Sequence, residues 1–378
     1  MILLQVIPEL EAGGAERTVL DVAEAVIAAG GQALVASQGG RLEDELEALG
    51  GRHVRLPLKS KNPITIWRNA ARLARLIRAQ GVQIVHARSR APAWSAMWAA
   101  RRADVHFVTT YHGVYNARSG AKRWYNSVMA RGDRVIANSQ FTADHVRAEH
   151  GVGEDRLRVI PRGVDLDRAR PEAVSEDRIA ALRSAWGVAE NETRPILLLP
   201  ARLTRWKGQL VAIEALAKPG LAEAQAPILI LAGDDQGRTE YRAELENRAA
   251  ALGLDDRVRL PGHVTDIPAA LALADLVLTP SIEPEAFGRT TAEAGAMGRA
   301  VIAADHGGAR EIIVQGETGW RVPPGDADAL AKAISHALQI GPEARAAIGE
   351  AARIRVRERF SKASLQSATL QVYQELLE

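Results

Sequence analysis

The 378-residue sequence has no cysteine, which removes disulfides, thiolate metal sites and cysteine nucleophiles together. No apolar run approaches the ~18 residues that a membrane-crossing helix needs. The opening Met1-Ile2-Leu3-Leu4-Gln5-Val6-Ile7 has neither a basic leader nor a small-residue cleavage site. It reads as a first buried strand, not as a signal peptide, and a cytoplasmic location follows as the expectation. Phenylalanine and tyrosine are scarce, at four and five residues, yet there are seven tryptophans. What remains is the composition of a soluble globular protein, with 47% hydrophobic and 25% charged residues, long enough for two cores.

The net charge is only +2, but its distribution is uneven. From Arg52 to Arg134 seventeen basic residues face two acids, Asp104 and Asp133, a local charge of +15 that leaves −13 for the rest. Trp67, Trp94, Trp98 and Trp124 fall in the same stretch. Charge of one sign interleaved with aromatics suggests an anionic partner. An anionic membrane surface is the leading expectation, with the protein peripheral on the inner face of the cytoplasmic membrane. Segment 117–131, with Arg118, Lys122, Arg123, Trp124, Tyr125, Val128, Met129 and Arg131, reads as a short interfacial helix. A solvated basic face balanced by an acidic second half is the plainer reading. No nucleic-acid motif is visible, so no nucleic-acid partner is expected.

Short apolar runs alternate with helical patterns throughout, which predicts βα units and parallel sheets. Strands are expected at 2–7, 33–36, 83–86, 105–110, 134–137 and 157–160, then at 195–200, 227–232, 258–261, 275–279, 300–303 and 319–322. Helices are expected at 15–29, 64–79, 140–149 and 175–186. In helix 64–79, Arg68, Arg72 and Arg75 form a basic stripe opposite an apolar face. Two series of units imply an α/β chain of two Rossmann-like domains, 1–170 and 171–360. A final helix, 361–378, is expected to cross back to the first. A nucleotide would bind at the carboxyl ends of the strands, in a cleft between the domains.

The strongest chemical signal is Ser281-Ile282-Glu283-Pro284-Glu285-Ala286-Phe287-Gly288-Arg289-Thr290-Thr291-Ala292-Glu293, following the apolar Leu276-Val277-Leu278. Glu285 lies in the turn and Glu293 inside the helix that follows. Amides from Gly288 to Thr291 are free donors at that helix start, placed for a diphosphate. Taken alone, the same pattern also suits a solvated acidic loop. After strand 195–200, Arg202 and Lys207 offer a guanidinium fork and a point charge for phosphates, or simply a basic surface loop.

These segments, with Leu231-Ala232-Gly233-Asp234 between them, resemble the donor domain of the family 4 retaining glycosyltransferases, whose fold is called GT-B, with their E-x7-E element. Gly262, Gly307-Gly308-Ala309-Arg310-Glu311, Gly316-Glu317-Thr318-Gly319 and Val322-Pro323-Pro324-Gly325-Asp326 continue the series in order. Gly13-Gly14-Ala15-Glu16 resembles the family's glycine loop facing the donor phosphates. Tyr111-His112-Gly113 stands where the family keeps a histidine near the transferred sugar. Asn138-Ser139 and Pro161-Arg162-Gly163-Val164-Asp165 complete the resemblance, which spans nearly the whole chain. The sequence departs from the family pattern at Ala201, Ala286, Arg162, Asp235 and Ala300; none of these removes a charged donor contact.

The resemblance implies a retaining hexosyltransferase that uses a nucleotide diphosphate sugar, of a type serving lipopolysaccharide or other cell-envelope glycans. Its acceptor would be a glycan or a lipid-linked group. His112, Arg202, Lys207 and Glu285 would be the catalytic residues. Gly13, Gly14, Val264, Phe287, Gly288, Arg289, Thr290 and Glu293 would contact the donor, with Glu293 on the ribose. No cofactor and no metal are expected: Asp165 and Asp167 sit in a domain-closing loop, Asp234 and Asp235 at a strand end with no nearby ligand partners, and the nine histidines lack zinc spacing. Asp266 lies on the loop where the family binds the base and suits guanine, though a helix N-cap before Ile267-Pro268 explains it as well. Two alternatives stay open at this point. One is a glycoside hydrolase or phosphorylase using Glu285 and Glu293 as its carboxylate pair. The other is a catalytically silent nucleotide-sugar binding or scaffold subunit.

Overall fold

A computed structural model describes residues 1–11, 13–115, 119–221 and 226–378. The chain divides into two compact units, Met1–Gly163 with Lys362–Glu378, and Val164–Ser361. The break therefore comes at Gly163 and not after residue 170. The reason is local: Val164 pairs with Ser361, and its amide donates to the Phe360 carbonyl at 2.7 Å, so the chain is tied to the second unit from there on.

The first unit is built on seven parallel strands: β1 Ile2–Val6, β2 Gln32–Ser37, β3 Arg52–Arg55, β4 Ile84–Ala87, β5 His106–Tyr111, β6 Arg134–Ala137 and β7 Leu157–Val159. Their order is β3-β2-β1-β4-β5-β6-β7. The second unit has six: β8 Ile196–Pro200, β9 Ile228–Ala232, β10 Val258–Gly262, β11 Leu276–Thr279, β12 Val301–Ala304 and β13 Trp320–Val322, in the order β10-β9-β8-β11-β12-β13. Helices cover both faces of each sheet, so central strands such as β8 are buried along their whole length and read as unbroken apolar runs. The expected strands are all present. The extra one, β3, has the sequence Arg-His-Val-Arg and pairs only with β2. As an edge strand it can carry charges, which hides it from an apolar pattern.

The helix Pro63–Gln80 starts on Asn62, whose side chain accepts from Ile64 N at 2.9 Å and Thr65 N at 3.2 Å, and ends on Gly81 in the left-handed region. It buries Ile66, Ala70, Leu73, Ala74 and Ile77 and leaves Arg68, Arg72 and Arg75 exposed. Of segment 117–131, Ala117 and Arg118 lie outside the described residues. The remainder forms helix Gly120–Asn126 and a 3-10 turn, Ser127–Ala130. Val128 and Met129 are fully buried in the core, so this segment is not a free amphipathic helix; Trp124 remains exposed.

The last helix, Lys362–Leu377, belongs to the first unit, where Leu365, Val372 and Tyr373 join the core formed by Val19, Leu20 and Val26. Glu375 on that helix takes Arg134 at 3.0 Å and Arg158 at 2.7 Å. Among the described residues no helix is long and apolar enough to cross a membrane.

Candidate active site

In the second unit the strand order reverses beside β8 and β11, and the loops leaving their carboxyl ends carry the charged residues. Gly208 (φ 78°) closes the loop after β8 so near β11 that a Cβ there would overlap the Pro280 carbonyl. Ile282 N then donates to the Trp206 carbonyl at 2.7 Å, locking the two loops together. From the other side the turn after β12 packs in. Gly307 and Gly308 leave no room for a side chain against the backbone of Glu285 and Phe287, and Gly308 N donates to the Glu285 carbonyl at 2.8 Å.

This packing sets the side chains. Lys207 Nζ lies 2.8 Å from Glu285 Oε1 and 4.3 Å from the centre of the Trp206 ring. The Ser281 hydroxyl donates to the same Glu285 oxygen at 2.6 Å, and His306 Nε2 meets the Ser281 carbonyl at 2.7 Å. Arg202 is exposed, and its guanidinium has no partner among the described residues. Helix Arg289–Ala296 begins at Gly288 (φ 92°) with no side-chain cap, leaving its first amides available. Glu293 pairs with Arg289 at 2.7 Å, one turn away. Thr290 Oγ1 reaches the Pro200 carbonyl at 3.4 Å, and Thr291 meets Thr279 at 3.0 Å.

Two of the expected donor contacts need correction. Phe287 and Val264 are 5% and 8% exposed and belong to the second unit's apolar core, Phe287 lying against Phe360. Their side chains are committed to packing, so only their backbone is available to a ligand. Asp266 caps helix Ile267–Leu273 through Ala269 N at 3.1 Å and is clasped by Arg178 at 2.6 and 2.8 Å. That double engagement holds its carboxyl below the usual range and leaves it ill-suited to read a base.

In the first unit, Gly13 is extended at the start of helix Gly14–Ala28, and the Glu16 carboxylate folds into the space beside it. His112 follows β5. Both its ring nitrogens are shut off from solvent, with no hydrogen-bond partner among the described residues. Burial pushes its pKa well below the ordinary value, and the cations Arg162 and Arg88 act in the same direction, so the imidazole is neutral. Its carbonyl accepts from Asn138 Nδ2 at 3.2 Å. Nothing in the sequence singles out Arg88 or His306, and Ser281 only opens the double-glutamate segment, with no role of its own. Arg88 is 3% exposed, and its hydrogen bonds among the described residues go to neutral acceptors, Gln5 at 2.5 and 2.9 Å and Thr110 at 3.4 Å. His86 links Thr110 (2.7 Å) to Tyr373 (2.6 Å) in the same buried network.

A glycine-tightened rim of Arg202, Lys207 and Arg289, two carboxylates and a helix start stands on a Rossmann-like sheet, an arrangement chemically able to receive an anionic group. Residues 12–168 match the model of glycosyltransferase family 4, and residues 183–355 that of glycosyl transferases group 1. The chain is 31% identical over 291 residues to the D-inositol 3-phosphate glycosyltransferase of Xylanimonas cellulosilytica, covering 73% of this chain and 67% of that protein. It is also 31% identical over 257 residues to the Saccharomonospora viridis protein of that name, spanning 57% of the latter's length.

Among solved structures, a glycosyltransferase from Rickettsia africae superposes with a TM-score of 0.91 at 36% identity, over 100% of this chain and 98% of that one. Anabaena HepE in complex with UDP superposes with a TM-score of 0.85 at 27% identity, over all of both chains. The chain belongs to the family 4-like glycosyltransferases of GT-B fold.

Proposed function

We propose that the protein is a retaining hexosyltransferase that takes its sugar from a nucleotide diphosphate donor and passes it to a glycan or lipid-linked acceptor, without metal or cofactor. The observation that carries this reading is the meeting of Lys207, Glu285 and the open start of helix Arg289–Ala296 at the ends of β8 and β11, with Arg202 on the same β8 loop and without a partner among the described residues. HepE structures with UDP and with UDP-glucose support a uridine donor.

Arg202, Lys207 and the helix amides neutralise the charge gathering on the departing diphosphate, the kind of fixed stabilisation that dominates many active sites. As the bond from the sugar's anomeric carbon to phosphate oxygen breaks, the electron pair leaves with the phosphate. The acceptor oxygen bonds to the same face, and its proton passes to the departing phosphate oxygen, so configuration is retained. Glu285 orients the sugar and Glu293 the ribose. A hydrolase reading is disfavoured because each carboxylate is turned to a cation, Glu285 to Lys207 and Glu293 to Arg289.

The first unit supports an anionic surface as partner. Ile64, Trp67 and Trp124 are about 60% exposed and Trp98 38%. Trp94 links Trp98 (5.7 Å) and Trp124 (4.5 Å), and Arg131 lies 5.1 Å from the Trp94 ring. Among the described residues Arg68, Arg72 and Arg75 have no acidic partner, whereas Arg55, Lys59, Arg123 and Arg134 are paired. Aromatic rings with unpaired basic residues suit an interface, each cation contributing about 1 kcal/mol near anionic lipid. The curated relatives, named for a phosphorylated acceptor, are consistent with an anionic acceptor there.

Assay of UDP- and GDP-sugars with NMR of the product tests the transfer. An anomer matching the donor, formed equally with a chelator present, is the expected result; inversion, or full loss restored by manganese, overturns retention or metal independence. Sedimentation with phosphatidylglycerol but not phosphatidylcholine vesicles, lost at high salt, is the expected membrane result, and no sedimentation at low salt removes that partner.

A further inference from the structure

Glu285 is held twice through one carboxylate oxygen, by Lys207 Nζ at 2.8 Å and by the Ser281 hydroxyl at 2.6 Å. These holds cease to be equivalent once a donor binds. Under the function proposed above, on which this step rests, the Lys207 ammonium is drawn toward the diphosphate, a stronger and doubly charged partner. Glu285 is then left with the hydroxyl alone.

Ser281 is well placed to bear that load. It is 3% exposed, and its carbonyl, which can only accept, meets His306 Nε2 at 2.7 Å, so that nitrogen carries the proton. His306 belongs to the same turn as Gly308, whose amide bonds the Glu285 carbonyl at 2.8 Å. The turn after β12 thus grips Glu285 twice, once through its own backbone and once through Ser281. Ser281, Glu285, Gly288, Thr291 and His306 line one small hollow at the helix start.

We infer that Ser281 and His306 are positioning residues that hold Glu285 on the donor sugar after Lys207 passes to the diphosphate. Neither touches the phosphates in this account, so their loss is felt by the sugar and not by the nucleotide.

Calorimetric titration of the full chain with UDP, UDP-glucose, GDP and GDP-mannose tests this, using whichever nucleotide and sugar pair the parent binds more tightly. Ser281→Ala and His306→Ala are each expected to weaken the nucleotide sugar by about tenfold, the worth of one hydrogen bond to a charged group, while free nucleotide stays within about twofold. His306→Gln, which keeps an N–H donor, is expected to recover most of the loss, and Lys207→Ala to weaken both ligands. Equal weakening of nucleotide and nucleotide sugar by Ser281→Ala and His306→Ala would mean a merely structural role and overturn the inference, as would no change in either. A parent protein that binds none of the four overturns the donor-site reading itself, and the inference with it.

Discussion

The two units share one strand order around their first strand and put it to different uses. In both, the chain runs outward from the first strand to the third and then crosses to the fourth, so the carboxyl ends of the first and fourth strands face an open position. In the second unit that edge carries part-exposed ion pairs, Lys207 with Glu285 and Arg289 with Glu293, on loops drawn tight by glycine. In the first, the corresponding edge buries its polar groups: Arg88, His86 and Thr110 share one network with Gln5 and Tyr373. Topology provides the place for a site. Loop length and solvent access decide whether it holds mobile charge for a ligand or a fixed polar core.

The comparison breaks most easily at Lys207. Lys207→Ala should lower turnover more than a hundredfold, about 3 kcal/mol or more, as expected when the transition state is deprived of one or two charge-assisted hydrogen bonds. Thermal stability should fall far less than turnover, because Glu285 keeps its hydrogen bond from the Ser281 hydroxyl when Lys207 is removed. Near-normal turnover in steady-state kinetics would take the donor site away from this edge.

Much of this contrast was legible in the residues. The buried strands announce themselves as apolar runs, and Arg202, Lys207 and Glu285 stand out as charged residues in the loops after strands, with Glu293 in the helix beyond. What stayed hidden depends on side chains meeting across long separations. Tyr373 reaches His86 from 287 positions away, and nothing local in either residue predicts that bond. Val264 and Phe287 sit amid site residues in the sequence, yet their apolar side chains turn inward; a contiguous motif does not say which of its members face the ligand. His306 acts through the Ser281 carbonyl, a group that any residue supplies, and the Ser281 hydroxyl finds Glu285 only once the loop is folded.

A smaller effect sharpens the other half of the comparison. If the first unit's polar edge is a fixed core, Tyr373→Phe should cost about 1–3 kcal/mol, since it strips a buried imidazole nitrogen of its partner without changing packing. The donor site should be untouched, so nucleotide affinity stays constant while the denaturation midpoint falls. An unchanged midpoint would show that the network is not a structural element.

The smallest expected effect concerns pH. His53, His86, His112, His145 and His150, the histidines whose pKa is depressed by burial, all lie in the first unit. A histidine with a folded pKa below its unfolded value of about 6.5 binds fewer protons folded than unfolded, so stability is present above that value and declines as pH falls through it. Between pH 7.5 and 6.0 each such group removes under about 1 kcal/mol, and His86 and His112, whose depression is greatest, should give most of the loss. Hydrogen-exchange protection measured at the two pH values locates it: β1, β4 and β5 should lose protection while β8 and β11 hold theirs. His112→Gln should flatten the decline, because the variant has no proton to take up on unfolding. An equal loss in both sheets would mean that some other set of groups governs acid stability, and that burial of titratable side chains does not distinguish the two units.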